Sequence, residues 1–311
     1  MTPDAFLREL RDLIQDDVGQ RGLARDPIDN LLTARPDDFA AACHSIADHP
    51  APHVGIVTGF MIPAVDPPTG ETDGPLGALF LARAFAQFDI PCTLASDAAG
   101  FSALQSGIEY LGLTSNVRLT NLPLQLDVAS FHREAGRLTH LIALERSGPS
   151  YNFDAIPPEH RDRNHTMRGR DITPLTSPAH CLFEGPRDNI TIGIGDGGNE
   201  IGMGAVPYAT ICKNIPNGNL VACRVPTDHL IVAGVSNWGA YALAAGVMLL
   251  RDRFDPNLFD AELELKLLQH LVEAGPLVDG VTGQRTATVD GLTFADYVRP
   301  LVRIGEMLRD R

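Results

Sequence analysis

Residues 189–204 read NITIGIGDGGNEIGMG, and their reading decides the fold. An apolar run from Ile190 to Ile194 closes on glycine and passes at once into a polar, glycine-dense loop. That order is a strand entering a ligand-facing turn, the unit from which parallel α/β sheets are built. Six glycines within residues 193–204 let the backbone approach another group closely and expose N–H groups as an anion nest. Gly193, Gly195 and Gly198 also satisfy G-x-G-x-x-G literally. A dinucleotide fingerprint further needs a helix opening at once and an acid about 20 residues on. Here Gly202, Gly204 and Pro207 spoil the helix, position 218 is glycine, and Asp196 and Glu200 would repel a pyrophosphate. Two readings stay open: a tight structural turn, or a platform presenting Asp196, Gly197, Gly198, Asn199 and Glu200 to a small ligand.

Outward from this loop the pattern repeats. HVGIVTGF (53–60), CTLASD (92–97), THLIALER (139–146), NLVACRV (219–225) and HLIVAGV (229–235) read as further strands. Helices are expected over 75–88, 101–111, 237–252, 256–274 and 294–309. The alternation predicts an α/β fold: a doubly wound, mostly parallel sheet flanked by helices, with ligands beyond the strands' C-terminal ends. Before it, Thr2-Pro3-Asp4 supplies a cap, an N1 proline and an acidic first turn, and Phe6, Leu7, Leu10, Ile14 and Val18 follow at helical spacing. A second helix starts near Pro36-Asp37-Asp38. Residues 1–50 thus read as an N-terminal helical extension and 51–311 as a single catalytic α/β unit. Neither early helix carries an evident catalytic group, so both read as packing or self-association surfaces, and a homo-oligomer is one expectation.

Composition narrows the function. The chain has 311 residues and is 44% hydrophobic, enough for a sizeable core, and its formal charge is -14. So acidic a surface argues against nucleic acid and anionic membranes as partners and leaves a small molecule. Only Lys213 and Lys266 are lysines, which leaves little room for Schiff-base chemistry. The N-terminus is charged throughout, no long apolar run is present, and the five cysteines lack any C-x-x-C. A cytoplasmic protein is the expectation.

Other strand-end loops hold the remaining chemistry. Glu71-Thr72-Asp73-Gly74 precedes a helix that Pro75 begins, so Asp73 is either a plain cap or a ligand-facing acid beside a carboxylate-binding helix terminus. Glu145-Arg146 ends a strand as a mutually paired surface set or as a clamp whose guanidinium grips a carboxylate. Arg168 suits a mobile lid and Arg170 a surface loop. Ser236 and Asn237 are caps or binding groups, and Trp238 walls a pocket or fills the core. No histidine pair has metal-ligand spacing. The hard-ligand candidates are therefore Glu71, Asp73, Asp97, Glu145, Asp196 and Glu200, an oxygen set suited to Mg²⁺ or Mn²⁺.

Taken in order, TGF (58–60), ETDGPLGA (71–78), THLIALERSG (139–148), GIGDGGNEIGMG (193–204) and AGVSNWGAYAL (233–243) resemble the D-glutamate cyclase family. The resemblance implies conversion of D-glutamate to 5-oxo-D-proline and water, a hydro-lyase reaction of D-amino acid metabolism. Ring closure needs a deprotonated α-amine held against the γ-carboxyl carbon, an arrangement that removes up to about 7–11 kcal/mol of barrier. A carboxylate is a poor electrophile, so its charge must be neutralised. On this footing Glu71 and Asp73 are expected beside the ammonium, with one of them or Asp196 as general base. Asn199 and the glycine-loop N–H groups would orient the γ-carboxyl, Arg146 would anchor the α-carboxylate, and a protonated Glu200 would act as acid. A divalent cation on Asp73, Asp196 and Glu200 is the cofactor candidate; no other cofactor is called for. Rival readings are a non-enzymatic nucleotide or amino-acid sensor and a cofactor-independent racemase working through two of Cys181, Cys212 and Cys223.

Overall fold

The computed structural model describes residues 2–311. Its strands are β1 (Val54–Thr58), β2 (Met61–Ile62), β3 (Thr69–Gly70), β4 (Cys92–Ser96), β5 (Val117–Asn121), β6 (His140–Leu144), β7 (Ile190–Gly195) and β8 (His229–Val232). Six form one parallel sheet in the order β5-β4-β1-β6-β7-β8, while β2 and β3 make a separate antiparallel hairpin. The sheet is doubly wound, and its order reverses between β1 and β6. A crevice opens at that reversal, beyond the strands' C-terminal ends. Strands β1, β4 and β6 are buried at every position, as strands covered on both faces must be.

The helices are α1 (Pro3–Ile14), α2 (Asp38–Ala47), α3 (Pro75–Ala86), α4 (Phe101–Tyr110), α5 (Val128–Ala135), α6 (Tyr208–Asn214), α7 (Gly218–Val221), α8 (Ser236–Leu250), α9 (Ala261–Glu273), α10 (Phe294–Tyr297) and α11 (Arg299–Arg309). On one face of the sheet α1–α4, α8, α9 and α11 share a core with Ile56, Leu94, Ile142 and Ile192. On the other, α5 and α6 pack with Val57, Leu141 and Ala143. Helix α8 is buried at every position but Leu250, and its small residues allow close neighbours: a Cβ on Gly246 would collide with Cys43 Sγ. Beneath it, Tyr241 Oη donates to Glu264 Oε1 and shares a short hydrogen bond with Tyr297 Oη. No helix among the described residues is long and apolar enough to cross a membrane.

Three expected elements differ. NLVACRV is not a strand: its first half is α7, and Cys223 makes a lone bridge to Ser150. The strand that the sheet uses at its far edge is β5, whose alternating exposure hides it in a polar stretch. The expected helices over 256–274 and 294–309 each divide. Asp260 caps α9 by accepting from Glu262 N and Leu263 N, and Pro300, which has no N–H, sits in the first turn of α11.

Candidate active site

Two helices that meet below the crevice exchange their caps. Asp73, just ahead of α3, accepts from the first N–H groups of α8, at Ser236 (2.9 Å) and Asn237 (2.8 Å). Asn237 in turn offers its Oδ1 to the N–H groups of Gly74 (2.9 Å) and Gly77 (2.8 Å) at the start of α3. Gly74 takes a φ of 95°, which lets the chain turn between Asp73 and the helix. The exchange satisfies both helix starts without solvent. It also corrects an expectation: the α3 terminus is not open to a substrate carboxylate, because an amide oxygen already fills it.

Above these caps lies a cavity of about 520 Å³. Glu71, Glu145, Asp196, Glu200 and Asp290 line it together with Arg21 and Asn199, and Phe60, Ile62, Val65, Met167 and Val281 form its apolar walls. The carboxylates come from four separate loops, which the strand ends bring together. Glu145 reaches in because it leaves β6 with a φ of 44°, a left-handed conformation that costs a side chain energy and is typical of functional positions. Ser236 Oγ donates to Glu145 Oε2. Two carboxylate sets, Asp73–Asp196–Asp290 and Glu145–Asp196–Glu200, hold oxygens within 4.8 Å of one another, all on buried residues.

One cation faces this crowd. Arg21 contacts Asp196 at 3.0 Å and Asp290 at 2.8 Å. Burial pulls its pKa down, yet the two aspartates outweigh that and keep it protonated. The acids respond the other way. Burial pushes Glu71, Glu145, Asp196 and Glu200 above the usual carboxylate range, with help from neighbouring acids at the first three. Asp73 rises to about 8 from burial and from Asp290, against the α8 N–H groups and Arg21. Asp290 Oδ2 and Asn199 Oδ1 are buried without a hydrogen-bond donor, and Asp196 Oδ2 has only its ion pair with Arg21. The floor is therefore rich in acceptors and short of donors, so a positively charged group fits it.

Of the residues expected from sequence, Glu71, Glu145, Asp196, Asn199, Glu200 and Arg168 line the cavity, and so does Arg170, expected on a plain surface loop. Thr72, Asp73, Gly74, Gly197, Gly198, Ser236, Asn237 and Trp238 do not line it, Asp73 lying beneath it on the α8 N–H groups. Thr72 Oγ1 donates to the Thr288 carbonyl, and Trp238 fills the core with Nε1 on the Tyr297 carbonyl. The glycine-loop N–H groups also turn inward, since Asp196 N and Gly198 N donate to the Glu200 carboxylate. Asn199 gives its N–H to the His165 carbonyl and so offers an acceptor rather than a donor. Arg146 is the clearest correction. Fully buried, it donates to Asp97 Oδ2 at 2.6 Å and to the carbonyls of Gly59 and Ser177, which removes both it and Asp97 from the ligand set. None of the five cysteines lines the cavity, against a two-cysteine racemase.

Arg21 and Asp290 were missed. Arg21 lies between two helices in a stretch without a motif, and Asp290 sits in an ordinary turn with a φ of 55°.

A family model described as D-glutamate cyclase-like, C-terminal, matches residues 10–304. The human protein D-glutamate cyclase, mitochondrial, is 31% identical over an alignment covering 96% of the chain and 52% of that relative. The chain thus spans about half the length of the curated relative it matches. Both matches include the segment that carries Arg21.

Proposed function

The chain belongs to the D-glutamate cyclase-like family, and from that premise we propose that it converts D-glutamate to 5-oxo-D-proline and water. The observation that carries the reading is the convergence of buried carboxylates on a cavity floor where Arg21 is the one guanidinium, Arg168 and Arg170 being exposed, a floor that favours an ammonium group. The α-ammonium enters among Asp196, Asp290 and Glu145. A carboxylate with a raised pKa is a competent base for it, because its proton affinity approaches that of the group it must deprotonate. The nitrogen then attacks the γ-carboxyl carbon and gives up its second proton to the floor. The departing oxygen takes one proton from Glu200, whose proton affinity burial raises, and one from the floor carboxylate that deprotonated the amine, and leaves as water. Arg21 limits the charge that builds up. Glu71 and Asp73 shape the floor, the latter chiefly by fixing the start of α8.

A divalent cation of the Mg²⁺ or Mn²⁺ type suits an all-oxygen donor set with orphaned oxygens on Asp290 and Asn199. Asp196 would hold it with Glu145 and Glu200 on one side, or with Asp73 and Asp290 on the other. Bound there, it would supply Lewis-acid polarisation of the γ-carbonyl oxygen.

The test is incubation of the purified chain with D- and L-glutamate, with and without EDTA and Mn²⁺, followed by detection of 5-oxoproline. Product from D-glutamate supports the reading. Absence of product under all conditions rejects it in favour of a sensor.

A further inference from the structure

Resting on that cyclisation reading, we propose that the preferred substrate is a γ-amide of D-glutamate with an apolar amine portion, a γ-D-glutamyl peptide, rather than the free amino acid. Charge is the first reason. Free D-glutamate would bring an anionic γ-carboxylate into a floor already crowded by Glu71, Glu145, Asp196, Glu200 and Asp290. Arg21 is already held by Asp196 and Asp290. The cavity's other arginines, Arg168 and Arg170, are exposed, and Arg168 gives Nη2 to the Val281 carbonyl. Arg146, fully buried near the strand ends, has both its terminal nitrogens on Asp97, Gly59 and Ser177. A γ-amide presents the same acyl carbon without the negative charge.

Space is the second reason. At about 520 Å³ the cavity is of the size that holds drug-sized ligands, roughly 300–1,000 Å³. The polar floor is only part of it. Phe60, Ile62, Val65, Met167 and Val281 line the remainder, and free glutamate has only its two methylenes to bury against them. An amine portion with an aliphatic side chain does. At the rim Arg170 is exposed, and its guanidinium has no hydrogen-bond or ion-pair partner among the described residues. A carboxylate at the far end of a dipeptide would meet that charge.

The chemistry balances without a further reactant. The α-amine gives a proton to a floor carboxylate, and its lone pair forms the new C–N bond at the γ-carbon. The γ-amide C–N bond breaks, and the leaving amine takes a proton from the Glu200 carboxyl. The products are 5-oxo-D-proline and the free amine.

The experiment presents the full chain with D-glutamate and with γ-D-glutamyl-L-leucine in parallel, with and without Mn²⁺, and measures 5-oxoproline and leucine. The expected result is a kcat/KM for the dipeptide at least about tenfold above that for D-glutamate, with equimolar leucine and 5-oxoproline. Equal or better turnover of D-glutamate overturns the proposal and leaves the cyclase reading standing. Turnover of neither rejects both. Release of leucine together with free glutamate overturns it too, since water would then be the nucleophile. Val65→Trp is expected to lower the dipeptide-to-glutamate ratio about tenfold, and Arg170→Ala to raise KM for the dipeptide more than for D-glutamate. A ratio untouched by both changes overturns the proposal.

Discussion

Two arginines are buried near the C-terminal edge of the sheet, and they do opposite things. Arg146 has no exposed surface, and both its terminal nitrogens are taken by one carboxylate and two carbonyls, which leaves only a sealed-in Nε without a partner. Arg21 is partly open to the cavity and outnumbered by acids, two of which it touches. In the first place charge is cancelled inside the protein; in the second it is left uncancelled. A buried ion pair balanced by its own neighbours serves the fold, whereas an imbalance facing a cavity calls for an outside charge.

The sharpest way to break this contrast is to remove each arginine in turn. Arg146→Met strands Asp97 in the core and is expected to cost about 3–5 kcal/mol in urea unfolding. A loss under about 1 kcal/mol would show that Arg146 is not the closed structural pair described. Asp196→Asn should lower 5-oxoproline formation at least about tenfold, equivalent to about 1.4 kcal/mol of transition-state stabilisation, without lowering the melting temperature. Wild-type turnover in that variant removes Asp196 from the chemistry. Arg21→Gln is a finer probe. Arg21 holds down the pKa values of Glu71, Asp73, Asp196 and Glu200, so its loss should carry the acid limb of the pH–rate profile upward while the chain stays folded. If melting falls and the limb stays put, Arg21 is a second Arg146.

The smallest effect is on stability against pH. Glu264, raised to about 7 by burial despite Arg83 and Tyr241, and Asp73, raised to about 8, both bind protons more tightly folded than unfolded. The stability tied to their protonated forms is complete below the ordinary carboxylate range and is lost as pH rises through about 7 and then 8. Melting should therefore drop by a few degrees from mildly acidic to mildly alkaline buffer. Glu264→Gln should flatten the first part of the fall, and Mn²⁺ the second. A flat profile for the wild-type chain would mean that neither acid holds its proton.

The fold was legible wherever a strand was buried on both faces. Apolar runs ending in glycine, such as HVGIVTGF and NITIGIGD, announce β1 and β7 because a central parallel strand has no polar side to show. The edge strand β5 has one, and NLVACRV, apolar but helical over Gly218–Val221, lacks only the length that separates helix from strand. For the site, the acids of the strand-end loops could be named because topology sends those loops to one crevice. Which way each side chain turns could not. Arg146 and Glu145 are neighbours in sequence, yet a left-handed residue sends Glu145 to the cavity while Arg146 faces Asp97. Arg21 was beyond reach for another reason: its role comes from long-range packing that no local pattern encodes.

The ion pair between Arg21 and Asp290 has a consequence for the order of assembly. Its partners lie near opposite ends of the chain, one before the first sheet strand and the other just ahead of the last two helices. During synthesis the early strands can find one another while Asp290 is still unmade, since nearby pairings close first. The acids around the crevice would then gather with half of their cationic clasp missing. The stretch from Asp290 onward both seals the hydrophobic layer and completes the site, so a chain cut short before it would hold its acids without the geometry that uses them.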